Sequence, residues 1–363
     1  MNGLPGHRGL HGRQKARTGC DGWLLILCAY DLINRGAGAR HAASGHPVTA
    51  TAAGHDTAPL EFTVRGQRVA AILRTPRGQR AADGPGTAGQ GGAPGVVLTG
   101  PFTGVKEQVV AVYARRLADA GLATLVFDHR NFGASGGEPR QHEDAAGKLE
   151  DLRGATSALA AQPSVDPGRV GCVGVCLGGG YALRHSAFDP RIRAVAFVAA
   201  AFNDPRVMRE GMGDDGYRDQ MRIFSEVEQR QFGTGEIEYL PAVDRDGGPA
   251  AMPGREPWDY YGTERSAAPG WVNRVTRLSI RELLTFDAAI GADFLAGTPA
   301  LFIHGRRDDF CSPAAADATY RRAQTADKEF RWLDTTNHID LYDNPDYVDQ
   351  AAAHLGDWLT RRL

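Results

Sequence analysis

Long runs of a single charge are missing from this 363-residue chain, whose 41 basic and 43 acidic side chains leave a formal net charge of −2. No field of that size draws a protein toward nucleic acid or an anionic membrane, so neither is an expected partner. Cysteine is sparse as well: five residues, an odd number without regular spacing, do not make a disulfide framework. The cytoplasm is therefore the expected compartment. Cys172 and Cys176 stand four apart, yet no Cys/His pair with finger-like spacing follows, and no structural metal is expected. A phosphate-cradling loop is also missing, because the glycines Gly178–Gly180 fail the dinucleotide pattern. The apolar run WLLILCAY (Trp23–Tyr30) is far too short to span a bilayer. Basic residues precede it, which leaves a secretory signal as the alternative to a disordered leader over residues 1–58.

Past that leader, short β-rich runs alternate with helical patterns, the signature of a mostly parallel sheet flanked by helices. LEFTVRGQRVAAILRTP (Leu60–Pro76) predicts two antiparallel strands around Gly66, and Arg77–Gly95 a loop rich in Gly, Pro and Ala. GVVLTG, LATLVFD, RVGCVGV, IRAVAFVAA and TPALFIHG then read as strands of one sheet, with helices over Glu107–Ala120, Asp144–Ala161 and Pro345–Leu363. The rhythm breaks only between residues 203 and 297, a polar stretch with scattered aromatics. It is expected to be an inserted lid, with residues 59–202 and 298–363 forming the core.

Within RVGCVGVCLGGGYA, the run Gly174-Val175-Cys176-Leu177-Gly178-Gly179 fits the strand-to-helix elbow G-x-Nu-x-G, whose glycines relieve a strained backbone. The turn sets Cys176 at the end of a strand and at the N-terminus of a helix, where the macrodipole favours thiolate over thiol. A small buried cysteine in a glycine-rich turn would look the same on its own. The order of partners decides against that. HGRRDDF places Asp308 just past a strand end, and TTNHIDLY places His338 after the next strand, so nucleophile, acid and histidine follow in the order this kind of site uses. Asp309 is the alternative acid and His129 the alternative base. The backbone N–H of Leu177 is one expected oxyanion donor. In the loop LTGPFTGVKEQ that of Phe102 is the other, because Pro101 has no N–H; Thr103 is next in line.

Together GPFTGVKEQ, FDHRNFGASGGEPR, VDPGRVGCVGVCLGGGYA, RIRAVAFVAAAFNDPR, IHGRRDD, NHIDLYD and WDYYGTERSAAPGW resemble the α/β-hydrolases, in particular their dienelactone-hydrolase-like and polyketide-transferase-like branch. The resemblance covers most of Leu60–Leu363. It implies an α/β-hydrolase fold with a Cys176–His338–Asp308 triad and Leu177 and Phe102 at the oxyanion hole, in a branch whose elbow carries serine or cysteine. It calls for no cofactor and no metal.

A thiol in that position bears on the substrate. From a tetrahedral intermediate thiolate leaves more readily than alkoxide, so activated acyl groups, thioesters or enol esters, suit it best. The expected activity is hydrolysis or acyl transfer from a small-molecule thioester, free or bound to a coenzyme or carrier protein, with polyketide-type metabolism as a setting. An enol-lactone hydrolase of dienelactone type is the second expectation, and a non-catalytic binding or thiol-sensing module the third. Thr103, Trp258, Tyr260, Tyr261 and Trp271 are expected substrate contacts, the aromatics being alternatively only the insertion's own small core.

Overall fold

The computed structural model of the protein describes residues 54–77 and 91–363; the expected leader up to residue 53 and most of the Gly/Pro/Ala loop lie outside them. Chain order runs β1 (His55–Val64), β2 (Gln67–Pro76), β3 (Ala93–Thr99), α1 (Val109–Asp119), β4 (Ala123–Phe127), α2 (Ala145–Ala160), β5 (Val165–Val175), α3 (Gly178–Phe188) and β6 (Ile192–Val198). Then come α4 (Pro205–Thr234), β7 (Tyr239–Leu240), β8 (Val243–Asp244), β9 (Met252–Pro253), α5 (Arg255–Tyr261), β10 (Val275–Thr276), α6 (Ser279–Thr285) and α7 (Gly291–Phe294). The chain closes with β11 (Ala300–Gly305), α8 (Pro313–Arg322), β12 (Lys328–Leu333), α9 (Asp340–Asp343) and α10 (Pro345–Arg362).

Eight strands form one sheet in the order β1-β2-β4-β3-β5-β6-β11-β12, antiparallel at β1–β2 and β2–β4 and parallel everywhere else. Strands β3, β4 and β11 are buried from end to end and β6 at every residue but Arg193, as expected of strands covered on both faces. Successive residues face opposite sides. Val97, Leu125, Cys172, Val195 and Phe302 pack with α2 and α3, whereas Val96, Leu98, Val126, Val173 and Ile303 pack with α1 and α10. Each such fully buried aliphatic or aromatic side chain contributes about 1.5–3 kcal/mol. Where the parallel strands end, at Thr99, Val175, Gly305 and Leu333, their following loops gather at one edge of the sheet.

Two expectations are corrected here. Residues 55–58, expected in the leader, belong to β1; this is the edge strand, and residues 56–59 are exposed on both faces, so polar and small residues serve there without an apolar alternation. Inside the polar stretch after β6 the 30-residue α4 was not foreseen. Its start was nonetheless written in Asp204-Pro205: the Asp204 carboxylate caps the Arg206 N–H, and Pro205 occupies the first turn. Its interior bends at Gly213, where φ is 71°, and only four of its residues are buried, so no apolar stripe marks it. Among the described residues, no helix is long and apolar enough to cross a membrane.

Candidate active site

Cys176 sits between β5 and α3 with φ at +54°, a left-handed conformation that costs a non-glycine residue roughly 1–3 kcal/mol and persists only where neighbours impose it. Its N–H donates to Val198 (3.1 Å), and its carbonyl accepts from Gly179 (2.9 Å) and Ala201 (2.9 Å). The glycines make room for this turn. A Cβ on Gly174 would stand 2.3 Å from the Gly178 carbonyl oxygen, and one on Gly178 would stand 2.2 Å from that of Thr99. The helix α3 starts at Leu177 with no side-chain cap, and among the described residues the Leu177 and Phe102 amides donate to no protein acceptor. Both residues line the same cavity as the Cys176 sulfur.

The loop carrying Phe102 is fixed from below. Asp128, fully buried at the end of β4, accepts from the Lys106 N–H (2.8 Å), the Lys106 ammonium (2.7 Å) and the Ala134 N–H (2.8 Å). The stretches GPFTGVKEQ and FDHRNFGASGG thus meet through one carboxylate.

Asp308 and His338, both buried, come from the loops after β11 and β12 and stand with Nδ1 and Oδ2 2.7 Å apart. The other carboxylate oxygen of Asp308 accepts the N–H groups of Phe310 (2.9 Å) and Cys311 (2.7 Å). Asp309 is exposed and takes no part. His129 lies elsewhere, its Nε2 2.8 Å from the Thr99 hydroxyl and its Nδ1 facing Asp151 at 3.6 Å. One ring nitrogen of His338 and the sulfurs of Cys176 and Cys311 all lie within 4.8 Å of one another.

Two of the side chains at the centre went unmarked in the sequence. Cys311 points its S–H at the Cys176 sulfur, 3.7 Å away, and the Tyr342 hydroxyl stands 3.0 Å from His338 Nε2. Their signal was spacing: Cys311 is three residues after Asp308, and Tyr342 is one helical turn beyond His338 on α9. The Cys311 hydrogen bond, against the effect of burial and with help from His338 and Tyr342, holds the Cys176 thiol well below its ordinary pKa. Burial pushes Cys311 itself well up, so it remains the S–H donor of the pair. For His338 burial disfavours the cation, but the Asp308 carboxylate and the Cys176 sulfur outweigh it and raise the imidazole well above its usual value. Both shifts favour a thiolate beside an imidazolium.

The cavity over Cys176 encloses about 1000 Å³ counting its open mouth. Its walls are mostly apolar, lined by Met208 from α4, Met252, Tyr261 from α5 and Ile280 from α6 together with Phe102 and Phe310. The segment between β6 and β11 therefore covers the elbow. Glu256 joins it to the histidine loop, its Oε1 accepting the Ile339 N–H at 3.0 Å, and Arg265 makes a two-pronged bond to Asp343.

Of the five expected substrate contacts, only Tyr261 lines this cavity. Thr103 turns at φ +61° and buries its hydroxyl. Tyr260 packs edge-on between Tyr261 and Tyr342, with ring centroids 4.7 and 5.0 Å away. Trp271 stacks on Tyr261 at 5.6 Å, and Trp258 lies over Gly262, where a Cβ would come within 2.7 Å of the indole. Tyr260, Tyr261 and Trp271 thus pack on one another through edge-on and stacked ring contacts.

Residues 84–207 match the Dienelactone hydrolase family. The chain is 30% identical over 273 residues to the uncharacterized protein YcjY of Escherichia coli strain K12, covering 74% of this chain and 88% of that protein. It is 27% identical over 260 residues to the thiohydrolase aneE of Aspergillus aculeatus, covering 70% and 81%. Among solved structures, the α/β-hydrolase GrgF from Penicillium sp. sh18 superposes with a TM-score of 0.68 at 23% identity, over 85% of this chain and 99% of that one. With its sheet order, its elbow after β5 and these relatives, the chain belongs to the dienelactone hydrolase family of α/β-hydrolases.

Proposed function

We propose that this protein is an acyl-thioester hydrolase or acyltransferase that works through an acyl-cysteine on Cys176. The observation that carries the reading is a sulfur favoured as thiolate at a strained elbow, facing His338 and opening into an apolar cavity. The acyl chain occupies that cavity, and the thiol it arrives on, free or part of a coenzyme or carrier protein, lies toward the mouth. Cys176 Sγ attacks the carbonyl carbon, and the oxyanion takes the N–H groups of Leu177 and Phe102. His338 gives its proton to the departing thiol, leaving a thioester on Cys176 and a neutral imidazole. Water or another acceptor then attacks, His338 removes its proton, and the thiolate leaves. Asp308 keeps the Nδ1–H of His338 in place throughout.

The cavity wall supports an uncharged acyl group, since among the described residues His338 is the sole titrating nitrogen on it and no Asp, Glu, Lys or Arg lines it. A thiolate nucleophile also suits an enol lactone, the substrate class that gives the family its name. Side-by-side rates on an acyl thioester and an enol lactone separate these readings. Intact-mass measurement during thioester turnover is expected to show one acyl group on Cys176. Turnover without that adduct in wild type, or retained in Cys176→Ala, overturns the mechanism. Acylation left unchanged in His338→Ala would instead point to a thiol-sensing module.

A further inference from the structure

The acyl-cysteine reading uses Cys176 and His338 directly and Cys311 only as a hydrogen-bond donor to the Cys176 sulfur. The three together have the composition of a soft-metal site: two sulfurs and one imidazole nitrogen, all within 4.8 Å of one another. Zinc bound tetrahedrally by two thiolates at about 2.3 Å sets them about 3.8 Å apart. Here the sulfurs already stand 3.7 Å apart. Neither side chain has to travel, whereas a disulfide would require the sulfurs to close to about 2.05 Å across a backbone pinned at the elbow.

A second observation points the same way. Metal-bound histidine almost always hands its other ring N–H to a carboxylate, which fixes the ring and leaves the free nitrogen aimed at the ion. His338 does this with Asp308 at 2.7 Å, and the same carboxylate anchors the backbone N–H of Cys311 at 2.7 Å. One acid therefore positions two of the three ligands. On metal binding the Tyr342 hydroxyl, 3.0 Å from Nε2, gives up that contact. All three residues line the cavity, so a fourth position would be open to it, as in zinc sites with three protein ligands and one open place.

We infer that Cys176, Cys311 and His338 form a binding site for one zinc-class ion that occupies the elbow and blocks it. The exchange balances in charge and protons: the ion enters with two positive charges, the Cys311 thiol proton and the proton shared by Cys176 and His338 leave, and the complex with two thiolates is neutral. A neutral complex suits a buried apolar cavity better than a bare cation would.

Chelator-treated, reduced full-length protein titrated with Co²⁺ tests the site directly. One equivalent is expected to produce thiolate-to-cobalt charge-transfer absorption and the intense visible bands of a tetrahedral ion, both bleached by one equivalent of Zn²⁺. Cys311→Ser is expected to weaken Zn²⁺ binding by more than about 100-fold. Asp308→Asn, which alters the carboxylate behind His338 and Cys311 but removes no ligand, is expected to weaken it by about 10–100-fold. Octahedral cobalt bands in wild type, or equal affinity in wild type and Cys311→Ser, overturns the inference. Blockade of turnover rests on the acyl-cysteine reading: tetrahedral bands without inhibition uphold the site and overturn that reading, and inhibition is expected at the same Zn²⁺ concentration that bleaches cobalt.

Discussion

The Asp308 carboxylate is divided between two tasks: Oδ2 stands 2.7 Å from His338 Nδ1, while Oδ1 caps the loop that carries Cys311. Replacing the acid by its amide keeps the shape but offers the imidazole a donor or a weaker acceptor. Asp308→Asn is expected to lower kcat on the order of 10³–10⁴-fold, the loss an Asp→Asn change causes in a serine triad by setting the wrong tautomer. Asp309→Asn, on the exposed neighbour, is expected to stay within about threefold of wild type by the same steady-state assay.

α4 and α6 contribute Met208, Ile280 and Leu283 to the cavity wall, so on the acyl-cysteine reading acyl-chain length is expected to be read there. Ile280→Phe adds volume at the wall and is expected to move preference toward shorter acyl thioesters by about 10–200-fold, the scale of one methylene in an apolar pocket. Trp258→Phe, packed over Gly262 and away from the cavity, is expected to leave the chain-length profile in place. Rates across a series of acyl lengths distinguish the two.

Lys106 and Asp128 form a buried ion pair at 2.7 Å beneath the Phe102 loop. Lys106→Met strands the carboxylate, and removal of one partner of such a pair costs about 3–5 kcal/mol. Urea unfolding is expected to show that loss at pH 7. Because the loop bearing the Phe102 amide also loosens, kcat is expected to fall more than KM rises.

His185 is buried in α3, its Nε2 2.8 Å from Thr156 Oγ1, and burial lowers its pKa to about 4. In the unfolded chain it titrates near 6.5, so between those values the unfolded state binds the extra proton. Stability is therefore full above about pH 6.5 and falls as pH drops toward 4, by about 3 kcal/mol in all from this one group. His185→Gln is expected to flatten the urea midpoint over that range; an unchanged slope would show that other groups carry it.

Much of the fold was legible because a parallel sheet buried on both faces writes its strands as plain apolar runs, as at GVVLTG and IRAVAFVAA. The elbow and the loops bearing Asp308 and His338 were legible for a related reason: strand ends fix where the following residues go. What escaped notice lay off that grid. Cys311 and Tyr342 act through side chains that reach sideways, and their neighbours in space are remote in sequence, 135 residues in the case of the two sulfurs. For the aromatics of residues 203–297 both roles stayed open, because composition cannot say which ring faces a cavity and which faces another ring. For Trp258, Tyr260 and Trp271 the partners are Gly262, Tyr342 and Tyr261, and only the folded chain brings those pairs together.

The hydrogen bond from Ile339 to Glu256 fastens the insertion to the histidine loop. The carboxyl that accepts it belongs to α5, and burial raises its pKa. A displacement of α5 would therefore release the peptide next to His338. The cover of the cavity and the placement of the imidazole share one bond, so a change made in the first is expected to be felt in the second.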